Sequence, residues 1–440
     1  MLTPDKFFYD SALLRQAQDN LSQCDTFSEM QDLLLGLIHS TQNWRATHCI
    51  NLVAAESPMS ALARSVLSSD LSMRTAGGHI GEGYRYFMGT HFIDQIESIG
   101  HELLKKLFDC NYCEHRLLGG TQSCQVVYSA LTSQNNTIIS VMPQHGGDSS
   151  NCIQSMPGLL GLKIIPMPFL PDQTTIDLQQ LECLVSQHSP KLISIGFSVC
   201  LFEQPLAAIR GIATQYNAQV FYDASHELGL IAGKCFANPF ACGVDVVSGS
   251  TGKTFSGPQG GLLLWDKQQL TKPLVSTVFP NFVGTYQLNR VAALTVTALE
   301  FSEYGESYMG QVVKNAKALA IYLNELGISI FAKEKNYTQT HQVLINAEKY
   351  GGGFNAAKRL ESCNIIGNHV NLPGDTCHDF PQVRGLRLAT TEMTRRGLKE
   401  PHMKIIAELI YRALETKESS TQLATEVSRF SHEFQNIYYC

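Results

Sequence analysis

The sequence predicts an α/β fold built on a mainly parallel sheet, and three observations carry that expectation. Short aliphatic runs at 138–142, 163–167, 192–197 and 220–222 alternate with amphipathic helical stretches at 178–187 and 206–216. This is the pattern of strands joined by helical crossovers, with both faces of the sheet covered. Two successive strand signals also end in residues that carry chemistry. Gln219-Val220-Phe221-Tyr222 runs into Asp223-Ala224-Ser225-His226, and Gly243-Val244-Asp245-Val246-Val247 runs into Ser248-Gly249-Ser250-Thr251-Gly252-Lys253. Open α/β sheets hold their ligands at the carboxyl ends of strands. Finally, strand signals cease after Trp265, and helical periodicity takes over before a second, smaller set of strands begins.

Taken in order, residues 1–44 repeat apolar residues at helical spacing (Leu13, Leu14, Ala17, Leu21, then Met30, Leu33, Leu34, Leu37) and read as an arm packing on another surface. A large domain is expected over 45–287. It opens with an extended piece at 51–58 and a helix starting near Ser60, then a glycine-rich loop over 77–89 that is too long and aromatic for a linker. A helix follows at 94–108. Next, Leu118-Gly119-Gly120-Thr121-Gln122-Ser123 introduces another helix, and its small residues leave backbone N–H groups of Gly120, Thr121 and Gln122 for an anion such as phosphate. Two helices at 288–300 and 311–326 open a small C-terminal domain over 288–418. Its strands are expected at 328–332, 342–346 and 385–389, and its helices at 354–361 and 402–414. Residues 419–440 read as a peripheral tail.

An amine between short hydroxylated residues, with an aspartate and a histidine at the end of the preceding strand, suits pyridoxal phosphate. Lysine forms the Schiff base, aspartate keeps the pyridine nitrogen protonated, and histidine meets ring or substrate oxygens. The 440 residues are 44% hydrophobic with a net charge of −6, enough for a large core and without a basic surface for nucleic acid. The partner expected is a small molecule. Thirteen scattered cysteines suggest a reducing cytoplasm, and Cys110 and Cys113 have no histidine partner at zinc spacing, so no metal is expected. No run approaches the roughly 18 apolar residues of a membrane helix.

Together the motifs resemble the serine hydroxymethyltransferase family over about residues 50–414. The likeness rests on 51–56, Arg85-Tyr86-Phe87 with 89–94, 223–233, 250–261, and Arg387 through Thr394-Arg395-Arg396-Gly397. The resemblance implies a fold-type I pyridoxal phosphate enzyme whose large domain carries a mainly parallel, seven-stranded type of sheet. It also implies a homodimer, or a tetramer built from such dimers, with each active site shared between subunits. By the same likeness Lys253 is the Schiff-base lysine, Asp223 the partner of the pyridine nitrogen and His226 the residue near the ring oxygen and substrate carboxylate. Gly120, Thr121 and Gln122 hold the phosphate, Ser198 and Ser250 lie beside the ring and the lysine, and Gly284 reaches the neighbouring subunit's phosphate. Arg387, with Tyr86 and His226, receives the amino acid; a guanidinium grips a carboxylate through two parallel hydrogen bonds.

Departures from the family pattern concentrate on one side of the pocket. Ala55 stands at a substrate-side serine, Asp148 at the ring-stacking histidine with His145 three positions earlier, Gly252 before the lysine, and Gln259 in the glycine-rich turn. Thr285 replaces the glycine paired with Gly284. The carboxylate ahead of the Arg85-Tyr86 run is displaced, with Glu82 its substitute, while Asn368-His369-Val370 and Ser149 alter the folate side. Gly252 is expected to leave room for a larger aldehyde. The implied activity is making or breaking the Cα–Cβ bond of a β-hydroxy amino acid, with serine–glycine interconversion as the default. A folate-independent threonine-type aldolase or transaldolase is the alternative, and a cofactor-binding partner subunit the third reading. Tetrahydrofolate is left in doubt as the one-carbon partner.

Overall fold

The computed structural model describes residues 10–375 and 383–440. The first nine residues of the expected arm and residues 376–382 of the expected small domain lie outside them. The arm forms two helices, Ser11–Ser22 and Phe27–Asn43. The first is capped by Asp10, and the second by a reciprocal Thr26–Glu29 box that satisfies its leading N–H groups. Neither helix buries a residue, and Leu13, Leu21, Phe27, Leu34 and Leu37 stand exposed along them.

The strands are β1 (Ile50–Asn51), β2 (Tyr112–Glu114), β3 (Thr137–Ser140), β4 (Lys163–Pro166), β5 (Leu192–Gly196), β6 (Gln219–Asp223), β7 (Val246–Ser250), β8 (Gly261–Trp265), β9 (Gln342–Asn346), β10 (Ile365–Ile366), β11 (Asn368–Val370) and β12 (Gly385–Ala389). Seven of them form the central sheet in the order β2-β8-β7-β6-β5-β3-β4. The β7-β6-β5-β3-β4 block is parallel, and β8 runs antiparallel to both of its neighbours. The mainly parallel α/β architecture is therefore present. Period-two alternation sends Val220, Tyr222, Leu262 and Leu264 into one core and Phe221, Leu263 and Trp265 into the core on the opposite face. Burial on both faces explains why these strands read as continuous apolar runs rather than alternating ones.

A single helix, Leu288–Glu325, stands where two were expected. Gly305 and Gly310 do not interrupt it, because Phe301, Gly305, Tyr308, Met309 and Val312 stay buried at helical spacing through that stretch. The helix joins all three large cores: Leu288 and Val291 belong to one, Leu294 to Val312 to the second, and Ala316 to Leu323 to the third. The expected strand at 328–332 is absent. Only Ile330 bridges to Ile345, and Ala332 turns left-handed (φ 59°) into a short turn at Lys333–Lys335.

The cores do not follow the expected boundaries at 45, 288 and 419. β1 pairs with β10 in parallel, so Ile50 and Leu52 pack in the C-terminal core. The tail forms the helix Ser420–His432, whose Leu423 and Val427 enter that same core. Its end is also held, since Arg395 donates to the carbonyl of Tyr439 at 2.6 Å. No helix among the described residues is long and apolar enough to cross a membrane.

Leu319 is fully buried on the part of the long helix that faces the C-terminal core. Leu319→Ala should destabilise the protein by about 2–5 kcal/mol, the usual cost of an unfilled core cavity, and the shift in denaturation midpoint measures it.

Candidate active site

β6 and β7 lie side by side with Asp223 opposite Ser248. That register brings the two expected residues to one end of the sheet. Asp223 is 4% exposed. Its Oδ1 accepts hydrogen bonds from the hydroxyls of Ser225 (2.6 Å) and Ser248 (2.9 Å), and its Oδ2 from Asn151 Nδ2 (3.2 Å). Asn151 is oriented in turn by Tyr128, whose hydroxyl donates to Asn151 Oδ1 at 2.9 Å. With the Ser225 N–H also donating to Oδ1 at 3.2 Å, the carboxylate is fixed in place.

A cavity of about 260 Å³ lies beside it, lined by Gly120, Thr121, Asp148, Asp223, His226, Ser250, Lys253 and Gln259 among others. Lys253 follows β7, and burial lowers its ammonium pKa while the nearby Asp223 and Asp148 carboxylates oppose that shift. The amine is thus easier to deprotonate than a surface lysine, as a nucleophilic amine must be. His226, 2% exposed, is held neutral, well below its ordinary pKa, by burial and then by Lys253 and Arg387.

Gly120 opens the helix Gly120–Leu131. A Cβ there would sit 2.8 Å from Ser225 Oγ and 3.2 Å from Ser250 Cβ. Only glycine lets the helix start press onto the strand ends, leaving leading N–H groups without intrahelical partners at the cavity. An amine at one place, a fixed carboxylate at another and a helix N-terminus at a third fit pyridoxal phosphate. For Gln122 only the backbone N–H remains for this purpose. Its side chain is engaged elsewhere, accepting from Leu118 N and donating to the carbonyl of Phe282.

Arg387 enters from β12, whose register sets it opposite Asn368 and Leu344. It donates Nε to Asn368 Oδ1 at 3.2 Å and Nη1 to the carbonyl and hydroxyl of Ser198. Burial lowers the guanidinium pKa to about 10, and Asp148 works against that shift. Ser198 therefore braces the arginine instead of lining the lysine's cavity. It lines a second chamber of about 440 Å³ with Ser149, Val199 and Val370, and Asp148 belongs to both chambers.

Several expected residues stand elsewhere. His145 lies in the short turn Pro143–His145, and its ring stacks on Phe169 at 4.7 Å, outside the Lys253 cavity. It does not take over the ring-stacking place, where Asp148 stands. Glu82 and Tyr86 are exposed on the loop over 77–89, and Gly284 is exposed next to that loop, its carbonyl 3.6 Å from where a Cβ on Gly77 would be. None of the three lines the Lys253 cavity of its own chain. The space expected at Gly252 is filled, because a Cβ there would lie 2.7 Å from Gln259 Cδ. The two departures thus compensate each other and leave no added room.

Sequence reasoning missed His341, which is fully buried and stacks on His226 with centroids 5.6 Å apart and His341 Nε2 3.4 Å from His226 Nδ1. It also missed Asn151 and Ser248. Ser248 had a signal, two positions before Ser250 on the same strand, whereas Asn151 and His341 sit in irregular segments without periodicity.

Glu227 follows His226 in full burial, which pushes its carboxyl up to about 8 from the ordinary 4.5. A carboxyl that holds its proton more tightly when folded makes the fold lose stability as pH rises from about 4.5 to about 8. Glu227→Gln cannot titrate, so its stability relative to the parent should rise across that window. Denaturant midpoints at the two ends of the window measure the change.

The serine hydroxymethyltransferase family model matches residues 28–410. A serine hydroxymethyltransferase of Archaeoglobus fulgidus is 39% identical over 390 residues, covering 89% of this chain and 88% of that protein. One from Thermococcus kodakarensis is 36% identical over 419 residues, covering 94% and 96%. Among solved structures, an L-threonine transaldolase from Pseudomonas fluorescens superposes with a TM-score of 0.86 at 26% identity, over 96% of this chain and 95% of that one. With its sheet, its cavity lysine and these relatives, the chain belongs to the serine hydroxymethyltransferase family and is a pyridoxal phosphate enzyme of fold type I.

Proposed function

We propose that this enzyme cleaves the Cα–Cβ bond of serine or a threonine-like β-hydroxy amino acid, releases the β-carbon as an aldehyde and joins the glycyl Cα to a second aldehyde, in preference to delivering the released carbon to tetrahydrofolate. The observation that carries the reading is a pair of adjoining chambers that share Asp148, with Lys253 and Asp223 in one and Ser149 and Val370 in the other. Lys253 would hold the cofactor covalently, Asp223 its ring nitrogen, and the helix start at Gly120, Thr121 and Gln122 its phosphate, with Ser250 alongside. When bound, pyridoxal phosphate supplies an electron sink for the pair left on Cα as the Cβ bond breaks.

The chain's own residues do the rest. Arg387, braced by Ser198 and Asn368, binds the substrate carboxylate. His226 stays neutral under His341 and orients the substrate through a hydrogen bond. Asp148, whose carboxylate accepts from Ser150 N at 2.9 Å and acts on the charges of both Lys253 and Arg387, takes the β-hydroxyl proton from the side where the family carries an imidazole. The second chamber receives the acceptor, and its Ser149 and Val370 lack the contacts of a folate site. Val370 stands where the family carries an asparagine, and one lost polar contact weakens a ligand by roughly 1–3 kcal/mol, which is about 5- to 150-fold. The transaldolase reading, in which a threonine-like donor passes its α-carbon to a new aldehyde, is favoured by the likeness to the threonine transaldolase structure.

The working unit we infer is a homodimer in a reducing cytoplasm. Tyr84, Tyr86, Phe87, Met88 and Phe92 are exposed side chains on or beside one loop, next to exposed Gly284, and such grouped apolar exposure is the mark of an interaction surface. Placed against a second copy, this surface would bring Glu82, Tyr86 and Gly284 to the partner's cavity. All twelve cysteines among the described residues are free, in keeping with that compartment.

Two measurements test these readings. Serine cleavage should be only weakly stimulated by tetrahydrofolate, while threonine with an aromatic or aliphatic aldehyde should yield a new β-hydroxy amino acid, and Lys253→Ala should abolish both reactions. Strong folate stimulation at micromolar concentration would identify an ordinary hydroxymethyltransferase. In sedimentation the protein should be a dimer of obligate type, with an interface above ~2,000 Å². A Met88→Asp, Phe92→Asp double variant should dissociate and lose activity together.

A further inference from the structure

Away from the Lys253 cavity, three side chains with metal-binding atoms converge. His101 lies on the helix His91–Phe108, Cys113 on the edge strand β2, and His115 two residues beyond Cys113. One ligand atom from each lies within 4.8 Å of the other two. The two imidazoles meet edge to face with centroids 4.5 Å apart. His115 is 1% exposed, and neither of its ring nitrogens has a hydrogen-bond partner. A buried imidazole ordinarily satisfies at least one nitrogen, so this ring is oriented toward something that hydrogen bonding within the chain does not supply. The Cys113 thiol has only a long contact, 3.8 Å, to the carbonyl of His101.

We propose that His101, Cys113 and His115 bind a zinc ion, with water as the fourth ligand. Two imidazoles and one thiolate are a borderline-soft donor set that suits tetrahedral zinc. Bond lengths of about 2.0–2.3 Å put ligand atoms roughly 3.5 Å apart, so modest side-chain rotations close the site. His101 is partly exposed and opens the cluster to solvent, which gives the ion an entry and the water its place. Binding forms the S–Zn bond and releases the Cys113 thiol proton to solvent, with no change of oxidation state. Arg116 is already paired with Glu114 through contacts of 2.6–3.1 Å, but Arg290 donates to the His115 carbonyl at 2.7 Å and disfavours a site made of neutral ligands alone.

The position gives the ion a task. Two residues after His115, the carbonyl of Leu117 accepts from Gly261 N at 2.8 Å, and the chain then enters the Gly119–Gly120 turn at the helix start. Zinc would tie the helix His91–Phe108 to the strand leading into that turn. The sequence spacing hides the set, because His101 stands twelve positions ahead of Cys113 and only the packing of helix on strand unites them.

The test is metal analysis of the full-length, cofactor-loaded protein purified without a histidine tag, together with the visible spectrum after exchange with cobalt(II). The expected result is one zinc per chain and a tetrahedral cobalt–thiolate spectrum at longer wavelengths than the cofactor. Cys113→Ser and His115→Gln should lower zinc content at least tenfold, and Cys110→Ser should keep it. Should the first two variants fail to fold, chelator treatment of the parent must lower its melting temperature and zinc must restore it, with cofactor absorbance unchanged. Zinc below a tenth of an equivalent with no cobalt spectrum, copper in place of zinc, full zinc in Cys113→Ser, loss of zinc in Cys110→Ser, or no effect of the chelator would each overturn the proposal.

Discussion

A half-buried lysine amine at a cavity beside a buried carboxylate is the constraint that organises this molecule. Removing charges from water is costly unless each finds a partner, and the structure meets that cost with neighbours drawn from distant parts of the chain. Asp223 has the hydroxyls of Ser225 and Ser248 and the amide of Asn151. Lys253 has the fields of Asp223 and Asp148, and Arg387 that of Asp148. The strands must be parallel and in register for this, since Asp223 and Ser248 meet only because β6 and β7 pair as they do.

The second half of the chain completes what the central sheet begins. Arg387 and His341 come from the C-terminal part, the first from β12 and the second from the residue before β9. The helix Leu288–Glu325 runs through all three large cores, so the two halves cannot shift without disturbing buried packing along its length. β1 adds to the same effect by crossing into the C-terminal core before the main sheet starts. Arg387 is thereby held in place by hydrophobic packing, with Ser198 and Asn368 as the final polar brace.

The departures from the family pattern are easier to interpret as pairs than singly. Gln259 fills the space that Gly252 vacates, so the region before the lysine is repacked, not emptied. Asp148 places a carboxylate whose charge acts on both Lys253 and Arg387. Ser149 and Val370 come together on one wall of the second chamber. The departures thus fall in both chambers, with Gln259 and Asp148 in the Lys253 cavity and Ser149 and Val370 in the second.

The sequence by itself determined the local structure and the chemistry carried on strand ends. Continuous apolar runs marked β5, β6, β9 and β12 to within a residue or two, because burial on both faces leaves a pattern any local window can register. Asp223 and Lys253 were legible for the same reason, since each follows the end of such a run, whereas Arg387 was legible through the family resemblance. Tertiary structure alone decided which side chains meet across large separations. His341 under His226, Asn151 on Asp223, Gln259 against Gly252 and His101 opposite Cys113 leave no periodic trace, since their contacts arise from packing between elements. It also decided that two glycine-interrupted stretches are one helix, because Gly305 and Gly310 lie within a buried face whose packing outweighs their weak helix propensity.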